Sequence, residues 1–286
     1  MLCLTHMKTV IIQSILILSI VLAGRLAFAG NNMQEFGYRY DRIRALRWQT
    51  PTSSPSFKTQ QLAYPRVKAA YREKEAMVRE LLAAKGISTT RVDLFIRVFK
   101  RERVLEVWVK PKTQRTFVRL KEYPFCATSG TLGPKRQQGD GQIPEGLYQV
   151  DRFNPSSHFY LSLGVNYPNT ADRSREKAHA ALGGDIFIHG DCVTIGCVPL
   201  TDDKIKEVYL LAVEARSSGQ ARIPVHIFPA RLTPATLTVL ERQYALNKPL
   251  LAFWSSLKPF YDAFEMSATL PIFRTNAQGL YQLVGQ

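Results

Sequence analysis

Between Gly184 and Leu200 the chain places an imidazole and a thiol at the ends of one short buried segment, and this stretch constrains the fold more than any other. The apolar run Ile186-Phe187-Ile188 reads as a short buried strand that ends at His189-Gly190. Gly196 then precedes Cys197, and Thr201-Asp202-Asp203 opens a helix with a capping hydroxyl and two acids in its first turn. A strand that delivers an imidazole to a loop, and a loop that delivers a thiol, is what a Cys-His nucleophile requires, because the attacking species is the thiolate. Gly196 has no side chain to block approach, so the backbone N–H groups around Cys197 are open to a developing oxyanion. Thiol chemistry is therefore expected, with Cys197 and His189 as its candidates.

The chain of 286 residues is long enough for a substantial core, and 45% hydrophobic against 21% charged residues marks it as globular. Residues 1–29 read as a signal peptide outside the fold: Lys8, an apolar run from Val10 to Leu22, and Ala27-Phe28-Ala29 before Gly30. The run is short for a membrane span. Export to the periplasm is the expectation, with an uncleaved N-terminal anchor as the lesser alternative. Loss of Lys8 and Arg25 would leave 36 basic and 23 acidic residues, a net charge of +13. Such a surface suits a polyanionic environment, although ordinary solvation explains most of those charges equally well. There is no block of five consecutive basic residues, so nucleic acid is not an expected partner.

Past the leader the chain keeps Cys126, Cys192 and Cys197. An odd count in an oxidising compartment leaves one thiol outside any intramolecular bridge, and three pairings are open. A free Cys197 leaves Cys126–Cys192 as the bridge. A Cys192–Cys197 bond would instead abolish the nucleophile.

Four segments are expected: the leader at 1–29, a polar lead-in with one packing helix at 30–90, a catalytic domain at 91–230, and a helical extension at 231–286. The helix runs from Pro65 to Lys85, and residues 30–62 read as poorly structured. Leu94–Phe99 and Val104–Val109 form a hairpin, with further strands at about Thr116–Thr128, Gly146–Val150, Phe159–Val165 and Ile223–Ile227. Asp172–Ala181 reads as a polar, partly helical excursion. Residues 233–264 read as helical with a break near Asn247-Lys248-Pro249, their aromatics packing on the main domain. Many strands without a βαβ rhythm give a β-rich α+β domain flanked by N- and C-terminal helices. The glycines of Ser129–Gly141 lack the spacing of a phosphate loop, so no nucleotide is expected.

His189-Gly190 followed by Thr194-Ile195-Gly196-Cys197-Val198 resembles the His-Gly … Ser/Thr-His-Gly-Cys signature of the YkuD-type L,D-transpeptidases. The string Ile188–Cys197 is most similar to their YafK-like branch, as are Phe95–Lys100, Ser129–Arg136, Pro144-Glu145-Gly146 and Tyr167-Pro168-Asn169. The resemblance implies a β-sandwich or barrel catalytic domain. It implies Cys197 as nucleophile, His189 as general base, the backbone N–H groups of Gly196 and Cys197 as the oxyanion site, and a main-chain carbonyl to orient His189, since Gly190 offers only its backbone. It also implies peptidoglycan stem peptides as substrate: Cys197 attacks the L-centre carbonyl of diaminopimelate, and an amine or water resolves the thioester. An amine acceptor gives cross-linking or lipoprotein attachment. Water gives hydrolysis, including release of a peptidoglycan-linked lipoprotein. Ile195 departs from the family, standing where most members carry a second His, and the His189-to-Cys197 spacing is short.

Lys135 and Arg136 are candidates to bind a stem carboxylate, weighed against a solvated loop. Two other classes compete with the enzyme reading. Zinc ligation by His189, Asp191, Cys192 and Cys197 lacks a clear fourth ligand, so neither metal nor cofactor is expected. A wall-binding module with Cys192–Cys197 oxidised would have no catalysis. A purely hydrolytic amidase or carboxypeptidase is the nearer alternative. His158 and His179 lack chemical partners, and His226 alternates with Val225 and Ile227 toward the opposite face.

Overall fold

A computed structural model describes residues 55–176 and 181–285. The expected leader, most of the polar lead-in, and His179 lie outside them.

Strand β1 (Val92–Phe99) is buried on both sides, and its alternation divides two cores. Leu94, Ile96 and Val98 enter one core, while Phe95, Arg97 and Phe99 face the other way. β1 pairs antiparallel with β2 (Val104–Pro111), and β2 pairs with β3 (Val118–Pro124). On its other side β1 pairs in parallel with β8 (Pro224–Phe228), a contact the hairpin pattern does not announce. β4 (Gly146–Ser157) serves two neighbours: its first residues pair with β8, and from Val150 it pairs with β5 (Tyr160–Val165). The register shifts between Val150 and Arg152. A strand shared in this way bends a mixed sheet into a half-barrel. The sheet continues through β6 (Ile186–His189) to the two-residue β7 (Val198–Pro199), completing the order β3-β2-β1-β8-β4-β5-β6-β7.

The first core lies under α2 (Pro65–Ala83) and α4 (Asp202–Ser217), which pack together. Thr201 caps α4 through Lys204 N–H, and Ile205, Val208, Tyr209 and Ala212 are fully buried, as the apolar spacing predicts. The opposite face is covered by α6 (Lys248–Ser267), with α5 (Pro234–Gln243) before it. The break between them falls at Asn247, which caps α6, and Phe253, Trp254, Phe260, Tyr261 and Phe264 are all buried.

Several expectations need correction. α1 (Phe57–Leu62) lies inside the segment read as unstructured, capped by Ser56. β4 runs seven residues beyond Val150, because pairing with β5 overrides its polar, proline-containing sequence. α3 (Thr170–Arg175) starts two residues before the expected excursion, where Asn169 and Asp172 form a capping box. A C-terminal hairpin, β9 (Ile272–Thr275) and β10 (Tyr281–Gly285), follows α6 where no strands are expected.

Candidate active site

The parallel register of β6 and β7 brings the two ends of the central stretch together. Ile188 pairs with Val198 and His189 with Pro199. Ile188 and Val198 are both fully buried in the core. Alternation therefore puts Phe187, His189 and Cys197 on the opposite face, with imidazole and thiol as diagonal neighbours on adjacent chain segments.

His189 is 1% exposed. Its Nδ1 is hydrogen-bonded to the carbonyl of Gly190, which fixes the tautomer with Nε2 unprotonated. The Phe159 ring lies 4.6 Å from the imidazole, centroid to centroid. Burial holds the imidazole below its ordinary pKa, against smaller opposing effects from the Gly190 carbonyl and Asp191.

Cys197 is free and partly buried. Its Sγ accepts the Phe187 N–H at 3.4 Å and lies 3.7 Å from the Asp185 carbonyl. Burial raises the thiol above its ordinary pKa, Asp185 adds to this, and the Phe187 N–H and Lys135 oppose it. Imidazole and thiol share no hydrogen bond. Both shifts favour the neutral forms of the two groups.

The loop between them is fixed from three sides. Thr194 Oγ1 accepts the N–H of Cys197 at 2.9 Å and of Gly196 at 3.2 Å, and donates to the Cys197 carbonyl at 2.9 Å. The backbone groups expected to face an oxyanion thus converge on one hydroxyl, a role that only Thr194's place in the signature hints at. Gly196 has φ +136°, and a Cβ there would stand 3.0 Å from the Gln142 carbonyl, so only glycine fits. At Gly190 a Cβ would come within 2.6 Å of Asp202 Oδ1, which accepts the Asp191 N–H at 2.8 Å. The Gly190 N–H is bonded to the Leu161 carbonyl at 3.1 Å, so Gly190 contributes its carbonyl to His189 and no free donor.

The third tether is covalent. Cys126, just past β3, is bonded to Cys192, with 5.4 Å between Cα atoms. The Cys192–Cys197 bond that would silence the thiol is not formed. With Cys192 in a disulfide, the zinc donor set loses a member, and among the described residues no cluster of three or more His, Cys, Asp or Glu is placed to hold a metal.

Lys135 and Arg136 part company. Lys135 is 5% exposed, and its Nζ is bonded to Asp140 Oδ1 at 2.6 Å and the Gln137 carbonyl at 2.9 Å. Its charge acts on Cys197 through space and is not presented to solvent. Arg136 lines a cavity of about 510 Å³ between the 132–142 loop and the start of α6. His158 is exposed in the turn between β4 and β5, and His226 faces away from the first core, as its alternation predicts.

A half-barrel mixed sheet that presents a free cysteine and a buried, backbone-oriented histidine on neighbouring segments defines a class, and sequence comparison names it. The profile of the YkuD L,D-transpeptidase catalytic domain matches residues 93–227. The chain is 39% identical over 180 residues to the Escherichia coli K12 protein named "Putative L,D-transpeptidase YafK", covering 62% of this chain and 69% of that one. The O157:H7 counterpart matches to the same extent. The chain belongs to the L,D-transpeptidase family. Among solved structures, the helical cell shape determining protein Pgp2 from Campylobacter jejuni aligns over 65% of this chain and 74% of its own, at 15% identity and TM-score 0.39. Bdellovibrio bacteriovorus Bd1075 aligns over 62% and 64%, at 21% identity and TM-score 0.35.

Proposed function

We propose that the protein is a peptidoglycan-modifying cysteine acyl-transfer enzyme that works through a thioester on Cys197. The observation that carries this reading is the orientation of His189: Nδ1 is held by the Gly190 carbonyl, so Nε2 is the basic nitrogen on the face shared with Cys197. Sγ leaves its contacts at Asp185 and Phe187 to attack the L-centre carbonyl of diaminopimelate, and Nε2 takes the thiol proton. The tetrahedral oxyanion is met by the N–H groups of Gly196 and Cys197, which then exchange the Thr194 hydroxyl for the stronger, charged acceptor. Collapse expels the amine, which takes the proton from His189. The acceptor amine or water then attacks the thioester, with His189 again as base. A positioned base of this kind supplies roughly 10²–10⁴-fold in rate. The same reading gives Arg136, which lines the neighbouring cavity and pairs with Glu176 at 3.5 Å, the binding of a stem carboxylate.

Export belongs to the same proposal. The Cys126–Cys192 bond supports an oxidising compartment, and no described helix is long and apolar enough to cross a membrane. The direct test is incubation of the protein with lipoprotein-linked sacculi, comparing released lipoprotein with new 3–3 cross-links. Cys197→Ala and His189→Ala are expected to fold and to lose turnover. Normal turnover in either overturns the assignment, and the product identifies the acceptor.

A further inference from the structure

On the face of the sheet turned away from the first core, the face that also carries Cys197, a second cavity of about 470 Å³ lies between the β4–β8 ladder and the C-terminal hairpin. That volume falls within the range of roughly 300–1,000 Å³ usual for ligand pockets. His226 lines it while only 5% exposed, and its imidazole makes no hydrogen bond to any described residue. Its ring nitrogens are not sealed in the core, since Ser129 Oγ is the one fully buried side-chain N or O without a partner among the described residues, so the imidazole presents its polar atoms to the cavity. Two more polar groups surround it. The Asn166 Oδ1 accepts the Gln149 N–H at 2.8 Å, and neither the Asn166 NH₂ nor the Gln149 side chain has a partner among the described residues. Arg222, exposed at the rim, forms no ion pair among the described residues, and Phe273, 41% exposed, offers an aromatic surface. No acidic side chain lines the cavity.

This composition selects a ligand. With no carboxylate in the wall, a cation has nothing to pair with. A phosphate or other compact anion would find a single guanidinium among neutral groups. Neutral donors and acceptors beside an aromatic face suit a ring bearing hydroxyl and acetamido groups, whose C–H edges pack on the aromatic surface. We propose that this cavity binds the amino-sugar backbone of the wall polymer, holding the glycan on the same face of the sheet as Cys197, which acts on the stem peptide. The proposal deepens the peptidoglycan reading above and rests on it. Phe273, from the hairpin, lies outside the residues that match the family profile, so this chain's own extension completes the site.

The test is a chemical-shift titration of the full chain with N,N′,N″-triacetylchitotriose, a glycan without a stem. Saturable shifts are expected, with Phe273→Ala and Arg222→Ala each weakening binding about tenfold, the equivalent of ~1.4 kcal/mol. Both positions are at the rim, so these variants are expected to melt like the wild type; His226→Leu, checked for folding, is expected to abolish binding. Cys197→Ala is expected to bind the sugar normally, which separates this test from that of the catalytic reading. Absence of binding, wild-type affinity in both rim variants, or a free stem tetrapeptide occupying the cavity in the sugar's place overturns the proposal.

Discussion

Thr194 holds Cys197 by both ends of its backbone: the hydroxyl accepts the cysteine N–H at 2.9 Å and donates to the cysteine carbonyl at the same distance. This side chain presets the turn on which Cys197 sits. Thr194→Ala removes three hydrogen bonds of about 1 kcal/mol each. Turnover is expected to fall roughly 10–100-fold at little changed KM, as one to three such bonds would give. Thr194→Ser keeps the hydroxyl and is expected to restore most of it. Steady-state kinetics on a soluble muropeptide decides, and equal loss in both variants would contradict a hydroxyl-specific role.

The Cys126–Cys192 bond joins residues 66 positions apart and anchors the segment leading to Cys197. Cys192→Ser is expected to cost about 2–4 kcal/mol in urea unfolding. Because the loop then loses a tether beside Cys197, a lower kcat is expected as well. Unchanged stability on reduction would show that the bridge does not constrain the fold.

Burial lowers the His189 pKa below 6.5 and raises that of Cys197 above 9.0. The imidazole must be neutral to accept a proton, so the acid limb of kcat/KM is expected below pH 6.5. Alkylation of Cys197 by iodoacetamide is expected to accelerate with pH without a plateau near neutrality. An ion pair at rest would produce that plateau and reverse the order. The sign for stability follows: the unfolded chain takes up the His189 proton first, so this contribution is present above pH 6.5 and is lost as pH falls.

Glu145 is fully buried and ties the C-terminal extension to the loop beside the site. It pairs with Lys100 at 2.9 Å, accepts the Gly133 N–H at 2.8 Å and the Trp254 Nε1–H at 2.7 Å. Lys100→Met leaves that carboxylate uncompensated and is expected to destabilise the protein by about 3–5 kcal/mol. Trp254→Phe removes one donor and is expected to cost about 1–3 kcal/mol. Calorimetric melting of both variants checks the ranking, and an equal or inverted effect would contradict it.

The catalytic stretch was legible because its logic is local: His189, Gly196 and Cys197 fall within one strand, one loop and one helix cap. The same holds for α4, whose spacing at Ile205, Val208, Tyr209 and Ala212 encodes its buried face. Elements set by distant partners were not legible. Arg152–Ser157 becomes strand because β5 pairs with it, and β1 meets β8 more than a hundred residues later. The burial of Lys135 depends on Asp140 folding back onto it, which no periodicity records. The hydrogen bond from the Gly190 N–H to Leu161 on a neighbouring strand was hidden for the same reason.

The proposed mechanism requires a covalent bond to one sulfur. Intact-protein mass spectrometry after acid quenching of a reaction with a diaminopimelate-containing stem peptide measures it directly. A single acyl adduct is expected, mapped to Cys197, removed by hydroxylamine and missing from Cys197→Ala. Turnover by the wild type with no adduct, together with undiminished turnover by Cys197→Ala, would contradict the thioester mechanism.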